Sequence, residues 1–412
     1  AAGRLVEETA ADGRTRAVFA FEHPAEGIDL MAGPYRVATR AVRTALGTEV
    51  ALRTYFHPGI AELADGYLDA VQGYLDLYEA SIGPYPFTEF SIVSSPTPTG
   101  FGMPTLTYLG EGVLRLPFIR STSLGHEVLH NWWGNGVYPD FADGNWAEGL
   151  TTFMADYAYR ERAGGDAARE MRLGWLRDLA AVPPGQDRPL RDFTSRTHGT
   201  SQIVGYNKSA MLFFMLRDTL GVETFNRALR RFWSEQKFHV AGWRDLQRAF
   251  ESESGRDLAP FFTQWLARAG LPTVRIAAAS RATSGRAHIV RLTLAQNAPA
   301  YALRVPLRVR TEQGTETHVV EIARDRQDFE IRVGARPTEL ALDPDFRVLR
   351  RLDADELPPI LRQTMVAPAS RVALASRDAG WTPSARRLAE RLLDAAPVFL
   401  GEGAAPPRDT AL

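Results

Sequence analysis

The chain has 412 residues, more than one ordinary hydrophobic core accommodates, which predicts several domains. A net charge of −1, with 45% hydrophobic and 24% charged residues, is typical of a globular protein and gives no reason to expect nucleic acid as a partner. The absence of cysteine excludes a thiol nucleophile and a cysteine metal site. No apolar run is long enough to predict a transmembrane segment. The sequence indicates neither compartment nor oligomeric state.

Strand patterns dominate the first part of the chain. Short apolar stretches separated by polar turns predict a β-rich region over residues 1–56. From residue 58 to residue 82, apolar side chains recur at helical spacing, and Gly83-Pro84 is a typical end for such a helix. Phe90–Val93 and Leu106–Leu109 are typical of strands, with a glycine- and proline-rich loop between them.

Residues 121–270 are predicted to be mostly helical. The expected helices are 123–133, 146–162, 206–220, 223–236, 243–253 and 258–269. Beyond Leu271-Pro272, apolar and polar residues alternate, which predicts a small β-sandwich over residues 273–350. Residues 356–412 carry the pattern of a strand, a helix and a second short strand, too little for a complete domain. The predicted fold class is a multi-domain α+β protein.

The segment from His126 to His130, with the pattern HExxH, carries the most chemical information. On a helix, residues four apart share one face, so His126 and His130 can bind the same metal ion. Zinc accepts imidazole nitrogen and carboxylate oxygen, and a catalytic zinc site keeps one position open for water. Glu127 lies between the two histidines and can take a proton from that water. The alternative is a chance match on an amphipathic helix.

Glu148 is the predicted third ligand, which completes a site for one zinc ion per chain. It lies near the start of the next predicted helix, on a different face from its apolar stripe. The alternative is a capping role, because Asn145 and Glu148 have the spacing of a capping box. Solvated or structural roles are expected for the other histidines, which are His23, His57, His198, His239, His288 and His318.

The segment Ser123–Leu150 resembles the signature of the aminopeptidase N-like family of zinc metallopeptidases, the gluzincins with HExxH and a downstream glutamate. Three further segments resemble the same family in order and spacing, so that the resemblance extends over about residues 20–350. They are Gly83–Phe87, Tyr206–Ala210 and Phe261–Pro272.

The resemblance implies a domain organisation. A thermolysin-like, mostly helical catalytic domain would extend over residues 57–270, and residues 1–56 would be the C-terminal part of a β-rich N-terminal domain whose beginning is missing. The β-sandwich at 273–350 would follow the catalytic domain, and residues 356–412 would be an incomplete α/β or helical segment.

The resemblance also implies roles for individual residues. Tyr206 matches the tyrosine that stabilises the transition state in the family. The family's substrate-binding strand is matched by Gly100, Phe101, Gly102 and Met103.

The sequence departs from the family pattern in two places. The segment between His130 and Glu148 is one residue shorter than usual, which a loop between two helices can absorb. The family motif Gly-x-Met-Glu-Asn supplies a glutamate that binds the α-amine of the substrate, but Pro104 and Thr105 follow Met103 here.

Three functional hypotheses follow from these patterns. The first is a zinc aminopeptidase that acts on short peptides. The second is a metallopeptidase of the same fold without a strict requirement for a free amine, such as an endopeptidase or an enzyme for blocked substrates. The third is a non-catalytic zinc-bound scaffold, which Glu127 argues against because a structural site needs no general base.

Overall fold

The computed structural model describes residues 1–25, 27–182, 185–195, 199–284, 287–353, 355–357, 371–373, 380–393 and 396–400. The chain forms two compact units, residues 1–351 and 352–412. Sheets alternate with helical segments, which confirms the predicted α+β class. None of the helices in the described part of the chain is long and apolar enough to cross a membrane.

The first unit contains a hairpin followed by a five-stranded sheet. The hairpin strands are β1 (Arg4–Ala11) and β2 (Arg14–Ala20), and the sheet strands are β3 (Arg36–Arg43), β4 (Glu49–Phe56), β5 (Glu89–Ser95), β6 (Gly100–Met103) and β7 (Leu106–Gly110). The strand order in the sheet is β3-β4-β5-β7-β6. The three central strands are parallel, and both edge strands run antiparallel to their neighbours. The sheet therefore joins strands on both sides of residue 56, where the sequence had suggested a domain boundary.

Burial explains the form of this sheet. Every residue of β5 is buried, as expected for a central parallel strand covered on both faces, whereas β4 alternates between buried and partly exposed residues. A 3₁₀ turn at Pro58–Leu63 leads into α1 (Ala64–Ser81), which crosses from β4 to β5. Its core-facing side chains recur at helical spacing, and they are Tyr67, Leu68, Val71, Leu75 and Tyr78.

Helices form most of the region from residue 111 to residue 267. They are α2 (Glu111–Leu114), α3 (Ser123–Leu129), α4 (Ala147–Thr152), α5 (Ala158–Ala163), α6 (Gly165–Ala180), α7 (Gly199–Gln202), α8 (Ser209–Leu220), α9 (Val222–Gln236), α10 (Trp243–Ser254) and α11 (Ala259–Ala267). Two π-helical turns, Phe153–Tyr157 and Ile203–Lys208, interrupt the predicted long helices. Short 3₁₀ turns occupy Ile119–Ser121 and Leu190–Asp192. The short strands β8 (Tyr138–Pro139) and β9 (Val240–Ala241) pair in parallel.

Helix α6 was not predicted from the sequence. Its buried face runs through Ala168, Trp175, Leu176 and Leu179, which have helical spacing. Arg172 lies in the middle of this face and is only 4% exposed, so the apolar periodicity is broken by a charged residue. The arginine is accommodated because its guanidinium donates hydrogen bonds to the backbone oxygen of Asp345 and to the hydroxyl of Tyr157.

Two three-stranded sheets follow the helical region. Their strands are β10 (Val274–Ser284), β11 (Ala287–Gln296), β12 (Leu303–Thr311), β13 (Gly314–Ile322), β14 (Arg326–Val333) and β15 (Pro337–Leu342). The strand orders are β10-β11-β14 and β13-β12-β15. The strands lie where the alternating pattern predicted them, and on β12 alternate side chains such as Leu303, Val305 and Leu307 are buried.

The second unit contains β16 (Arg371–Val372), α12 (Thr382–Leu392) and β17 (Val398–Phe399). The two strands pair in parallel. The expected end of the first strand, at residues 374 and 375, and the expected end of the helix, at residues 394 and 395, lie outside the described residues.

Candidate metal centre and active site

Helix α3 places the two histidines of the HExxH segment side by side. Leu124, Val128 and Leu129 are fully buried and fix the apolar face of this short helix in the core. The opposite face carries His126 and His130, whose Nε2 atoms lie 3.1 Å apart. Two imidazoles that point their nitrogens at each other at this distance are arranged to share a third partner.

Glu148 completes a group of three ligand atoms. Its Oε2 lies 3.5 Å from Nε2 of His126 and 3.3 Å from Nε2 of His130. This oxygen is buried and has no hydrogen-bond partner in the described part of the chain. A buried carboxylate oxygen without a donor is costly, and a cation between it and the two imidazoles removes that cost. These three are the only described residues whose ligand atoms could together hold a metal ion, and the atoms lie within 4.8 Å of one another.

The contacts of Glu148 are not those of a capping residue. The carboxylate faces the histidines. Just before helix α4, Oδ1 of Asn145 accepts a hydrogen bond from the backbone nitrogen of Ala147 at 3.0 Å, and the N-cap of the helix has no side-chain hydrogen bond. Of the remaining histidines, His198 lies outside the described residues. The others do not join the group around His126.

Both histidines are oriented through their second ring nitrogen. Nδ1 of His126 lies 2.7 Å from Oδ2 of Asp156, and Nδ1 of His130 lies 2.9 Å from the backbone oxygen of Trp133. When Nδ1 carries the proton and donates to these oxygens, the lone pair of Nε2 points into the site, which is the tautomer that binds a metal ion.

Sequence analysis did not identify Asp156. It follows Glu148 by eight residues, and a regular α-helix would turn it about 80° away from the face of Glu148. The π-helical turn at Phe153–Tyr157 is wider and reduces this rotation, so both acids face the histidines. An acid two turns after the predicted ligand was the available signal, but the π turn that brings it into place has no clear sequence pattern.

The charges of the site favour a cation. Burial lowers the pKa of His126, but Asp156, Glu148 and Glu127 outweigh it and raise that pKa well above its ordinary value. Burial likewise opposes the raised pKa of His130, which is due mainly to Glu148. Burial raises the pKa of Glu148, but the two histidines hold it well below its usual range. The field that favours a charged imidazole here also favours a bound metal cation.

The edge strand β6 runs directly beside Glu127. A Cβ atom placed on Gly102 would lie 2.6 Å from Oε2 of Glu127 and 3.6 Å from Cδ2 of His130. Gly100 and Phe101 precede it on the exposed part of the strand, with Phe101 56% exposed, and Met103 ends the strand. Four predicted substrate-binding residues therefore lie on one strand that passes the predicted base.

The end of α3 fixes the position of this strand. Asn131, directly after His130, is fully buried, and its Oδ1 accepts a hydrogen bond from the backbone nitrogen of Thr105 at 2.9 Å. Thr105 lies in the turn between β6 and β7 with φ of +61°, a conformation that is unfavourable for a β-branched residue. The hydrogen bond from the metal-site segment helps to hold this strained turn.

Glu111 does not replace the acid that the family pattern has directly after Met103. Glu111 follows β7, and Met103 pairs with the opposite end of that strand, at Leu106. Its carboxylate lies 3.1 Å from Nδ1 of His57. At about 3.3 Å per strand residue, the two positions are separated by most of the length of β7.

Tyr206 lies beside His126. It is part of the π-helical turn Ile203–Lys208, and its ring is nearly parallel to that of His126, with the centroids 6.3 Å apart. The segment approaches α4 closely because Gly149 has no side chain: a Cβ atom there would lie 1.9 Å from Oγ of Ser209. The structure thus brings Tyr206 to the same site as His126, His130, Glu127 and Glu148.

Similarity to known proteins agrees with this arrangement. The family model of the peptidase family M1 domain matches residues 121–265, which contain both histidines, Glu148 and Tyr206. This part of the chain is therefore similar to the catalytic domain of peptidase family M1. This confirms the resemblance to aminopeptidase N-like enzymes that the sequence indicated.

Several family relatives are similar over part of their length. Aminopeptidase N of Escherichia coli is 24% identical over 278 residues, which are 62% of this chain and 31% of the relative. Leucyl aminopeptidase of Saccharolobus solfataricus is 23% identical over 222 residues, or 50% of this chain and 27% of that protein. This chain thus matches less than a third of the length of these relatives.

One solved structure of the family has the same fold over most of the chain. The crystal structure of Legionella pneumophila aminopeptidase A in complex with aspartic acid superposes with a TM-score of 0.69 at 18% identity. The match covers 88% of this chain and 44% of that one. At this identity the likeness establishes the fold alone.

Substitution of Gly102 is expected to impair the site without unfolding the protein. In Gly102→Ala the new methyl group would lie 2.6 Å from the Glu127 carboxylate, which must move. Under the function proposed in the next section, we expect peptide hydrolysis to fall by about a hundredfold, because a displacement of about 1 Å at a catalytic group can have this effect. Gly73→Ala is the control, since nothing lies within 4 Å of a Cβ atom there. Equal hydrolysis rates in both variants, measured as kcat/KM on one peptide, would contradict the placement of β6 beside the base.

Proposed function

We propose that this protein is a zinc-dependent peptidase that hydrolyses peptide bonds, and that it acts as an aminopeptidase on short peptides. The observation that carries the proposal is the convergence of His126, His130 and Glu148 on one point, with Glu127 between them and the edge strand β6. Two imidazoles and one carboxylate are the ligand set of a catalytic zinc site with an open position.

The chemistry divides between the metal and the residues around it. Zinc in this site would polarise the scissile carbonyl and lower the pKa of a water molecule toward about 7. Glu127 accepts the proton of the attacking water as the new carbon–oxygen bond forms. It then passes that proton to the nitrogen of the departing amine as the carbon–nitrogen bond breaks. Tyr206 donates a hydrogen bond to the carbonyl oxygen as it gains negative charge.

The substrate backbone fits the free edge of β6. An extended peptide can add to an exposed strand through backbone hydrogen bonds, and the missing side chain of Gly102 lets this strand run close to the Glu127 carboxylate. Within the proposal, residues 57–270 with the strands that pair to them form the catalytic domain. The part of the chain before β3 belongs to a β-rich domain, and residues 273–350 form a β-sandwich.

Metal analysis provides the primary test. We expect the purified chain to retain about one zinc ion after dialysis, because three converging, partly buried ligands hold it. Glu148→Ala should lose the metal, and removal of zinc by a chelator should lower the melting temperature of the wild type but not of this variant. Glu111→Ala is the control and should retain zinc. Full zinc occupancy in Glu148→Ala, or no peptide hydrolysis by the zinc-loaded wild type, would contradict the proposal.

A second candidate, a peptidase without a strict requirement for a free amine, is favoured by one observation. Pro104 stands where the family pattern has an acid, and no carboxylate follows Met103 on the strand. A charge-assisted hydrogen bond to an ammonium group contributes about 1.5–3 kcal/mol, which is about a tenfold to hundredfold effect on kcat/KM.

The two candidates differ in their response to Pro104→Glu. For the aminopeptidase candidate, we expect the wild type to prefer a peptide with a free amino terminus over its acetylated form, but about tenfold less strongly than an enzyme that carries the acid. Equal rates on the two peptides would support the second candidate. The glutamate should increase the preference for the free amine about tenfold or more, whereas Pro104→Gln should not. The measurement is the ratio of kcat/KM for the two peptides. A strong preference for the free amine in the wild type, unchanged in Pro104→Glu, would show that another acid binds the amine.

A further inference from the structure

A completely buried lysine lies two residues after Tyr206. The side chain of Lys208 is 0% exposed, and its Nζ lies 3.2 Å from Oδ1 of Asp187. The same ammonium donates to the backbone oxygens of Arg188 and Arg268, both at 3.4 Å. Burial of a charged ammonium is unfavourable unless it is paired and hydrogen-bonded, and here three acceptors surround it.

Asp187 connects this lysine to a loop beside the active site, residues 185–195. Its other carboxylate oxygen accepts a hydrogen bond from the backbone nitrogen of Gly270 at 2.7 Å. The carboxylate thus joins the loop both to the Tyr206 segment, through Lys208, and to the end of the helical region. The proposed mechanism assigns this pair no part.

The far end of the same loop packs against Tyr206 and the Glu148 helix. The ring of Phe193 lies against Gly205, where a Cβ atom would be 2.1 Å from Cζ, and its centroid is 6.2 Å from that of Tyr206. The backbone oxygen of Phe193 accepts a hydrogen bond from the nitrogen of Asn145 at 2.6 Å, just before α4. The loop therefore bridges the segment that carries Tyr206 and the segment that carries Glu148.

We infer that Lys208 is a positioning residue for Tyr206, which acts by fastening loop 185–195, through Asp187, against the π-helical turn and the start of α4. The inference rests on the proposed function, because it assigns a purpose to the placement of Tyr206 beside His126. A hydrogen-bonded pair defines direction as well as distance, which an apolar contact of the same size does not.

The geometry explains why this placement needs support. Tyr206 lies in a π-helical turn, and such turns are less regular than an α-helix and occur mostly at functional sites. Gly205 provides no side chain to pack, so Phe193 fills the space beside the tyrosine. If the loop moves, the ring loses its neighbour on this side and can rotate away from His126.

The experiment combines Lys208→Met with Tyr206→Phe in a double-mutant cycle on the zinc-loaded enzyme. Lys237→Met is the matched control, because the chain has only these two lysines and Lys237 lies over Trp233 and Phe238. We expect Lys208→Met to reduce kcat about tenfold or more, with KM changed less than about threefold and zinc content unchanged. Lys237→Met should have the kcat of the wild type.

The double variant separates positioning from a general loss of structure. If Lys208 acts through Tyr206, Lys208→Met should lower kcat by less than about twofold in the Tyr206→Phe background, since the hydroxyl it positions is already absent. Multiplicative losses would overturn the inference, as would a wild-type kcat in Lys208→Met. An inactive zinc-loaded wild type would instead contradict the proposed function, and this inference with it.

A second pair of measurements covers the case in which Lys208→Met does not fold. Asp187→Asn keeps an oxygen for Gly270 but removes the charge that pairs with Lys208, and it should show the same lack of additivity with Tyr206→Phe. Calorimetry with a phosphinic dipeptide, which mimics the tetrahedral transition state, gives a readout independent of turnover. Asp187→Asn should weaken this binding in the wild-type background but not in Tyr206→Phe, and equal weakening in both would overturn the inference.

Discussion

Glu127→Gln is expected to abolish nearly all peptide hydrolysis while the protein still binds zinc. Glutamine has almost the same size and keeps the hydrogen-bonding capacity of the side chain, but it cannot accept the proton of the attacking water. General-base catalysis contributes about 10²–10⁴-fold to rates, and we expect kcat to fall by this amount. The measurements are kcat on a chromogenic peptide and zinc content by elemental analysis.

The controls for this variant separate loss of the base from loss of the site. Glu170→Gln makes the same change at an exposed position of α6 and should leave both zinc content and kcat unchanged. If Glu127→Gln loses its zinc, the Glu127 carboxylate also supports the metal site. The kcat of the variant is then measured after zinc has been restored to the wild-type content. Comparable kcat in Glu127→Gln and the wild type, at equal zinc content, would rule out Glu127 as the base.

Tyr206→Phe is expected to lower kcat by about 10²–10³-fold, with a much smaller change in KM. The loss of one hydrogen-bond donor to a developing oxyanion has this magnitude. It affects kcat because the bond strengthens as charge develops on the carbonyl oxygen, so the ground state loses less than the transition state. The tyrosine ring is nearly parallel to the ring of His126, so Tyr206 lies beside the group of proposed metal ligands.

Tyr138→Phe is a suitable control for the tyrosine experiment. The hydroxyl of Tyr138 is buried and makes no hydrogen bond within the described part of the chain, so its removal should change neither kcat nor stability appreciably. Kinetic measurements on the two variants should be made with the same peptide. A change confined to KM in Tyr206→Phe would show that the tyrosine binds substrate without selective stabilisation of the transition state.

Local patterns were sufficient to bring the proposed metal ligands together and to predict most of the elements. His126 and His130 are four residues apart, and any helix through Ser123–Leu129 brings them to one face. The helical stripe of α1 and the alternation of β12 depend only on which residues are apolar and on the repeat of the backbone, so they too were predictable. The fold class followed from the same patterns.

Features that depend on contacts between distant segments were not predictable. The residue pattern placed β6 in a loop, because glycine and proline are rare in strands, and only the family resemblance implied a strand there. Its place at the edge of the sheet depends on the pairing of its neighbour β7 with the distant strand β5. Helix α6 was missed because Arg172 interrupts its buried face, and the partners of that arginine lie 15 and 173 residues away. Sequence spacing alone contains no information about such partners.

The sequence by itself determined which chemistry we propose for the protein: one metal site from two histidines and a glutamate, with a second glutamate as the base. The tertiary structure alone decided how that chemistry is supported. The π-helical turn brings Asp156 to His126, and Gly149 allows the Tyr206 segment to approach α4. Asp187 joins Lys208 to loop 185–195, which contacts both the Tyr206 segment and the start of α4. The physical reason is range: a periodic backbone sets the neighbours of a residue within a turn or two, whereas these contacts depend on how whole segments pack.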